Sequence, residues 1–158
     1  AGIMLTPTGP KLVEYNCRFG DPEAEVILPM LESDGLELFA AAANGTLDQV
    51  TVEMRDGVAA TVVVCADGYP ADPVKGVAVP DLGSTHDVCT FYAGTTRDDD
   101  GHLVSSGGRV LAVTGMGADL DTALSSVYRL IDQVTGHGLF ARGDIGWRHS
   151  SVRSGKST

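Results

Sequence analysis

One stretch limits the possible folds more than any other. From Asp119 to Gly136 the sequence predicts a helix with a single apolar stripe. Leu120, Ala123, Leu124, Val127, Leu130, Ile131 and Val134 recur at the helical period, with Asp119 or Asp121 as cap. A stripe of that kind has to be covered by another layer. What the chain offers as cover is short strands. Val58 to Ala66, Val77 to Val79, Cys89 to Gly94, His102 to Ser106 and Arg109 to Thr114 are apolar or alternating runs bounded by turn residues. Thr51 to Met54 and Val58 to Ala66 flank Arg55-Asp56-Gly57 as a hairpin, and Arg97 to Gly101 is the turn of another. Leu139 to Arg142 and Ile145 to Trp147 form a last strand pair. Antiparallel strands with one long helix packed across them make an α+β module.

The first part of the chain reads differently. Ile3 to Thr6 and Lys11 to Arg18 are strands around Pro7-Thr8-Gly9-Pro10. A helix runs from Pro22 toward Leu31, and Pro29 should kink or end it. Ser33 or Asp34 caps a second helix, Leu36 to Asn44, which Gly45 stops. Leu36, Phe39, Ala40 and Ala43 lie on one face of it. This has the pattern of the end of a larger sheet-plus-helix domain, with a boundary between residues 45 and 53. There is no internal repeat.

Composition removes several classes. A chain of 158 residues with 43% hydrophobic content suits one globular domain or parts of two. No apolar run approaches the roughly 20 residues of a membrane span. The start, Ala1-Gly2-Ile3, has no secretory character and no initiator Met, so the chain is expected to be cut from a longer polypeptide. Net charge is −10, yet residues 148 to 158 hold Arg148, Arg153 and Lys156 and no acid. A body this acidic argues against non-specific nucleic-acid binding. The short Ser/Gly-rich end reads as a basic flexible tail or linker. Three cysteines without a Cys-x-x-Cys pair suggest a reducing compartment, and no histidine stands at zinc-ligand spacing.

The chemistry concentrates in Glu14-Tyr15-Asn16-Cys17-Arg18-Phe19-Gly20-Asp21-Pro22-Glu23. If the strand runs through Arg18, then Glu14, Asn16 and Arg18 share a face, about 7 Å apart. A carboxylate and an amide oxygen are hard ligands suited to magnesium, and a guanidinium can grip a phosphate or carboxylate in two places. Asp21 then serves as helix N-cap, with Pro22 at the first helical position. Alone, Glu-x-Asn is an ordinary wet sheet edge and Asp-Pro-Glu an ordinary helix start. Gly107-Gly108-Arg109 would let backbone approach a ligand and leave amides for an anion, but on spacing alone it is a turn with a surface arginine. Lys75, on a loop, is a solvated lysine by the same standard. Asp98-Asp99-Asp100 lacks calcium-loop spacing. Gly115-Met116-Gly117 lacks the third glycine of a dinucleotide loop.

Read as a whole, the decapeptide and five later motifs change the balance. Gly68-Tyr69-Pro70, Lys75-Gly76, Phe91-Tyr92-Ala93-Gly94-Thr95, Gly107 to Thr114 and Asp144-Ile145-Gly146 follow it in order. Together they resemble the glycinamide ribonucleotide synthetase (phosphoribosylamine–glycine ligase) family, ATP-grasp enzymes of purine biosynthesis. The likeness covers residues 3 to 148 but only the C-terminal part of such an enzyme. It implies that residues 1–48 end an ATP-grasp catalytic domain, that 50–148 are its C-terminal α+β domain, and that 149–158 are a tail or linker. The implied reaction joins glycine to phosphoribosylamine through a glycyl phosphate, with ATP as phosphoryl donor. Glu14 and Asn16 would ligate Mg²⁺ or Mn²⁺, Arg18 would stabilise the transferring group, and Asp21 would orient the sugar or amine. Lys75, Gly107, Gly108 and Arg109 would hold the ribose 5-phosphate. The setting implied is cytoplasmic, with small-molecule substrates, no nucleic acid and no membrane. The N-terminal part of the same polypeptide is the implied partner, and the chain alone is expected to be inactive. Tyr92 stands where the family usually has His, and Gly143 where a polar residue is usual. Two alternatives stand beside this reading. Another ATP-grasp carboxylate–amine ligase is one, though Phe19-Gly20-Asp21-Pro22-Glu23 argues against the formate-dependent and carboxylating relatives. A non-catalytic interaction module is the other, since the nucleotide-clamping lysine and glycine-rich lid do not occur in this chain.

Overall fold

The computed structural model describes residues 1–150 and 152. The expected basic tail, 149–158, therefore lies outside the described residues except at 149, 150 and 152. The core is a four-stranded antiparallel sheet. In chain order its strands are β3 (Val58–Ala66), β4 (Val88–Tyr92), β7 (Arg109–Gly117) and β8 (Leu139–Ala141), and in space they run β4-β7-β3-β8. Val62 faces Val113, and Ala60 faces Gly115. Helix α3 (Leu120–Val134) lies across one face and buries Ala123, Leu124, Val127, Tyr128, Ile131 and Val134. Removing each of the larger of these from water stabilises the fold by roughly 1.5–3 kcal/mol. The Asp119 carboxylate accepts the Thr122 amide at 2.8 Å, which fixes where the helix begins. That bond, with the Thr122 hydroxyl, lowers the Asp119 carboxyl pKa. The module is α+β, as its hydrophobic periods require. A small hairpin, β5 (Thr95–Arg97) with β6 (Leu103–Ser105), closes over Asp98 to Gly101, and Asp98 caps that turn by accepting the amides of Asp100 and His102.

The other face of the sheet meets the first part of the chain. Side chains alternate along β7. Val113 and Gly115 face α3, so Thr114 between them points away. Its hydroxyl donates to the Glu25 carbonyl at 2.8 Å, and Glu25 lies in the short helix α1 (Glu23–Ile27). Pro29 ends α1 in a tight turn, Leu28–Met30. Helix α2 (Gly35–Asn44) is capped by Asp34, whose Oδ1 accepts from Leu36 and Glu37, and it stops at Gly45 with φ 70°.

Several sequence expectations fail here. The strand predicted over Lys11 to Arg18 ends at Glu14; β1 (Gly2–Thr6) pairs with β2 (Gly9–Glu14), and among the described residues none pairs with 15–18. Asp21 does not cap α1. Pro22 occupies that position without a side-chain bond, because the Asp21 carboxylate is engaged elsewhere. Leu36, Phe39, Ala40 and Ala43 do share one face of α2, and that face is exposed; Ala41 is its buried residue, and the helix packs toward the turn at Leu47–Gln49. Thr51 to Met54 forms no hairpin with β3. Ser33 and Glu32 capture it instead: the Glu53 carbonyl accepts both their amides, and Met54 bridges Leu31. Val77 to Val79 makes one bridge, Ala78 to Val104, rather than a strand. Ile145 to Trp147 is a turn, drawn onto α3 when the Ile145 amide donates to the Tyr128 hydroxyl at 2.9 Å. β8 pairs with β3 instead.

Candidate functional site

The first group of side chains follows β2. Because the strand stops at Glu14, the chain beyond is free to curl, and Arg18 folds back on Asn16. Its Nη1 donates to Asn16 Oδ1 and to the Phe19 carbonyl, both at 2.9 Å. Glu14 is exposed and pairs in register with Gly2. The structure thus joins Asn16 and Arg18 directly, and the expected common strand face of Glu14, Asn16 and Arg18 does not form. As a donor set, Glu14 and Asn16 suit a magnesium-like ion in kind, since such an ion keeps several waters and phosphate oxygens besides a few protein oxygens. Asn16 Oδ1 accepts one bond from Arg18, and a carboxamide oxygen has a second lone pair for an ion. Among the described residues no cluster of three or more His, Cys, Asp or Glu forms a ready-made metal site.

The second group surrounds Arg109, the first residue of β7. Its backbone is held tightly. The Gly94 amide donates to the Arg109 carbonyl at 2.8 Å, and the Gly107 amide donates to the Gly94 carbonyl at 3.1 Å. A Cβ on Gly94 would sit 2.7 Å from the Arg109 oxygen, and one on Gly108 would sit 2.3 Å from the Tyr69 ring. The glycines serve the close approach of protein to protein. The expectation that Gly107 and Gly108 leave amides free for an anion fails at Gly107, whose amide is taken.

The Arg109 guanidinium reaches across to the first part of the chain. Its Nη2 meets Asp21 Oδ2 at 2.8 Å, and its Nη1 donates to the Asp21 carbonyl at 3.2 Å. Both side chains are about half exposed (40% and 46%), so an anion can still approach. Beside them is a largely apolar cavity of about 380 Å³, lined among others by Pro22, Thr61, Cys65, Tyr69 and Arg142. Burial raises the Cys65 thiol pKa, against a smaller opposing pull from Arg109. Lys75 is exposed and is not among the residues lining this cavity. Its loop is nonetheless fixed, for the Ser105 hydroxyl donates to the Val74 carbonyl and the Gly76 amide to the Ser105 carbonyl.

Tyr92 works as a clamp. Its hydroxyl accepts the Leu82 amide and donates to Asp81 Oδ1, both at 3.0 Å. The Gly83 amide, then that hydroxyl, lower the Asp81 carboxyl pKa, while burial raises that of Tyr92. The contacts of Asp21 with Arg109 and of Tyr69 with Gly108 were not foreseen from sequence. The second had a signal: a Gly-Gly pair and a Gly-Tyr-Pro turn are both places where backbone and ring can come close.

Residues 59–148, more than half of the chain, match the family described as phosphoribosylglycinamide synthetase, C domain, and residues 1–24 match its ATP-grasp (A) domain. These matches place the chain among the ATP-grasp ligases. Within that class, the chain belongs to the phosphoribosylglycinamide synthetase family. It is 47% identical over 151 residues to a phosphoribosylamine–glycine ligase of Caulobacter vibrioides, covering 94% of this chain and 35% of that protein. A namesake from Mycobacterium tuberculosis is 48% identical over 148 residues, covering 93% and 34%. The crystal structure of phosphoribosylamine–glycine ligase from Thermotoga maritima superposes with a TM-score of 0.66 at 36% identity, over 89% of this chain and 34% of that one. The chain thus spans about a third of the length of the relatives it matches. Among the described residues no helix is long and apolar enough to cross a membrane.

Proposed function

We propose that this chain is the C-terminal third of a phosphoribosylamine–glycine ligase working in the cytoplasm, with residues 1–48 completing its ATP-grasp unit and 50–148 forming its C-terminal domain. The observation that carries the proposal is identity of 47% sustained over 94% of the chain. In the reaction, a glycine carboxylate oxygen takes the γ-phosphoryl group of ATP, giving glycyl phosphate and ADP. The amine nitrogen of phosphoribosylamine then attacks the acyl carbon, phosphate leaves, and the nitrogen loses a proton.

Glu14 and Asn16 would hold Mg²⁺ or Mn²⁺, and an ion there would offset charge on the nucleotide phosphates. The chain's own groups supply the rest. Arg18 would offer the transferring group a two-point grip. Arg109 binds the ribose 5-phosphate through the N–H groups that Asp21 does not use, and Lys75 adds charge from the adjoining loop. Because such catalysis needs groups preorganised on both sides of a cleft, the chain alone should not turn over. The test is ADP release by the full-length polypeptide. Release that requires both glycine and phosphoribosylamine supports the assignment. Release with formate or another acid in place of glycine points to a different ATP-grasp ligase, and none with any acid points to a binding module.

A further inference from the structure

Arg109 is positioned at both ends. At its backbone end, the knot of Gly94, Gly107 and Gly108 leaves no room for a shift, since a single added carbon would strike the Arg109 carbonyl at 2.7 Å. At its other end, one residue supplies both contacts to the guanidinium: Asp21 offers its carboxylate to Nη2 and its own carbonyl to Nη1. A casual surface pair uses side-chain atoms alone. Here the backbone of Asp21 is part of the cradle, so the guanidinium plane is set by the path of the chain between Phe19 and Pro22. A guanidinium has donors beyond these two, including Nε–H, and the half-exposed setting leaves them open to an anion.

We propose that Asp21 is a positioning residue for Arg109: it fixes the plane of the guanidinium so that the remaining N–H groups present themselves together to the phosphate of the amine substrate. This rests on the ligase reading above and revises one detail of it, since Asp21 then touches Arg109 and not the sugar or amine.

The experiment is a double-mutant cycle in the full-length ligase: Asp21→Ala, Arg109→Ala and the pair, with KM for phosphoribosylamine, KM for ATP and kcat measured for each. A positioning residue acts through its partner, so the two changes must not multiply. Asp21→Ala should raise KM for phosphoribosylamine about 10-fold, the scale of one charge-assisted hydrogen bond, with kcat and KM for ATP little changed. In the Arg109→Ala background the same change should move KM less than about twofold. Asp21→Asn keeps an oxygen acceptor for Nη2 and should return KM to within about threefold of wild type. If Asp21→Ala does not fold, Asp21→Ser enters the same cycle. A loss of kcat that persists without Arg109, a product of the two single effects, a lower KM in Asp21→Ala, or no change at all each overturns the proposal. Wild-type enzyme that does not use glycine and phosphoribosylamine overturns the ligase reading itself, and the positioning role falls with it.

Discussion

Replacing Gly115 by alanine tests how the core is built. Gly115 lies in β7 under α3, and a Cβ there would come within 2.4 Å of the Ala123 carbonyl oxygen and 2.8 Å of Val127 Cγ2. Val127 can adjust by a rotamer change, but a helix carbonyl cannot turn aside. Relief requires α3 to lift from the strand, and the helix carries Leu124 and Ile131, both almost fully buried. Overpacking typically costs about 1–3 kcal/mol, and the backbone contact puts this case at the top of that range. At about 2–4 °C per kcal/mol for a chain of this size, Tm should fall by roughly 6–12 °C. Gly45→Ala is the reference. Gly45 has φ +70° and open space where the methyl would go, so its cost is backbone strain alone, about 1 kcal/mol. Urea unfolding followed by far-UV circular dichroism gives both values, provided the slope of free energy against urea is unchanged. If Gly115→Ala is no more destabilising than Gly45→Ala, helix and strand do not meet at Gly115 and the account of the core is wrong.

In the full-length polypeptide, under the proposed function, Glu14→Gln and Asn16→Leu should each cut turnover at least 10- to 100-fold without lowering Tm, as loss of a metal ligand would; retained activity with unchanged Mg²⁺ dependence refutes the donor set. Arg109→Ala should raise KM for phosphoribosylamine roughly 10- to 150-fold and leave KM for ATP alone. Lys75→Ala should do the same more weakly, since Lys75 does not line the Arg109 cavity; a selective effect on ATP instead would move both residues to the nucleotide. Iodoacetamide at neutral pH should label Cys17, which is exposed, well before Cys65, which is buried with its thiol pKa raised by burial. Equal rates followed by mass spectrometry would contradict the described packing of β3.

What could be read from sequence was what local chemistry decides. The period of Leu120 to Val134 fixes α3, Asp34 and Asp119 cap because their carboxylates reach amides a turn ahead, and Gly45 stops α2 because it can take a positive φ. The misreadings share another cause: a distant partner outcompeted a local one. Asp21 has the residue type and position of an N-cap, but Arg109, 88 residues away, takes its carboxylate. Thr51 to Met54 has strand character, yet Ser33 and Glu32 reach it first. Ile145 follows Tyr128 onto the helix for the same reason. Arg18 offers the converse case, since its bond to Asn16 is local but depends on the strand ending early, which alternation alone does not reveal. At the candidate site, the residue types of Arg109, Asp21 and Asn16 were legible, and their pairings were not.

The bonds between Asp21 and Arg109 also bear on the order in which the molecule assembles and comes apart. They close a loop of 88 residues, and closing a flexible loop that long costs about 4 kcal/mol of chain entropy. A half-exposed ion pair returns about 1 kcal/mol or less, and the bond from Thr114 to Glu25 adds about as much again. Neither is enough to draw the two parts together before the sheet exists. Strands β3 and β7, joined over most of their length, are expected to form first and present Arg109 and Thr114 as fixed anchors. On the way out the sequence reverses: α1 and the Asp21 loop let go while the sheet is still closed. Amide protons of residues 20 to 31 should therefore exchange through small openings, those of Val62 and Val113 only when the whole molecule unfolds.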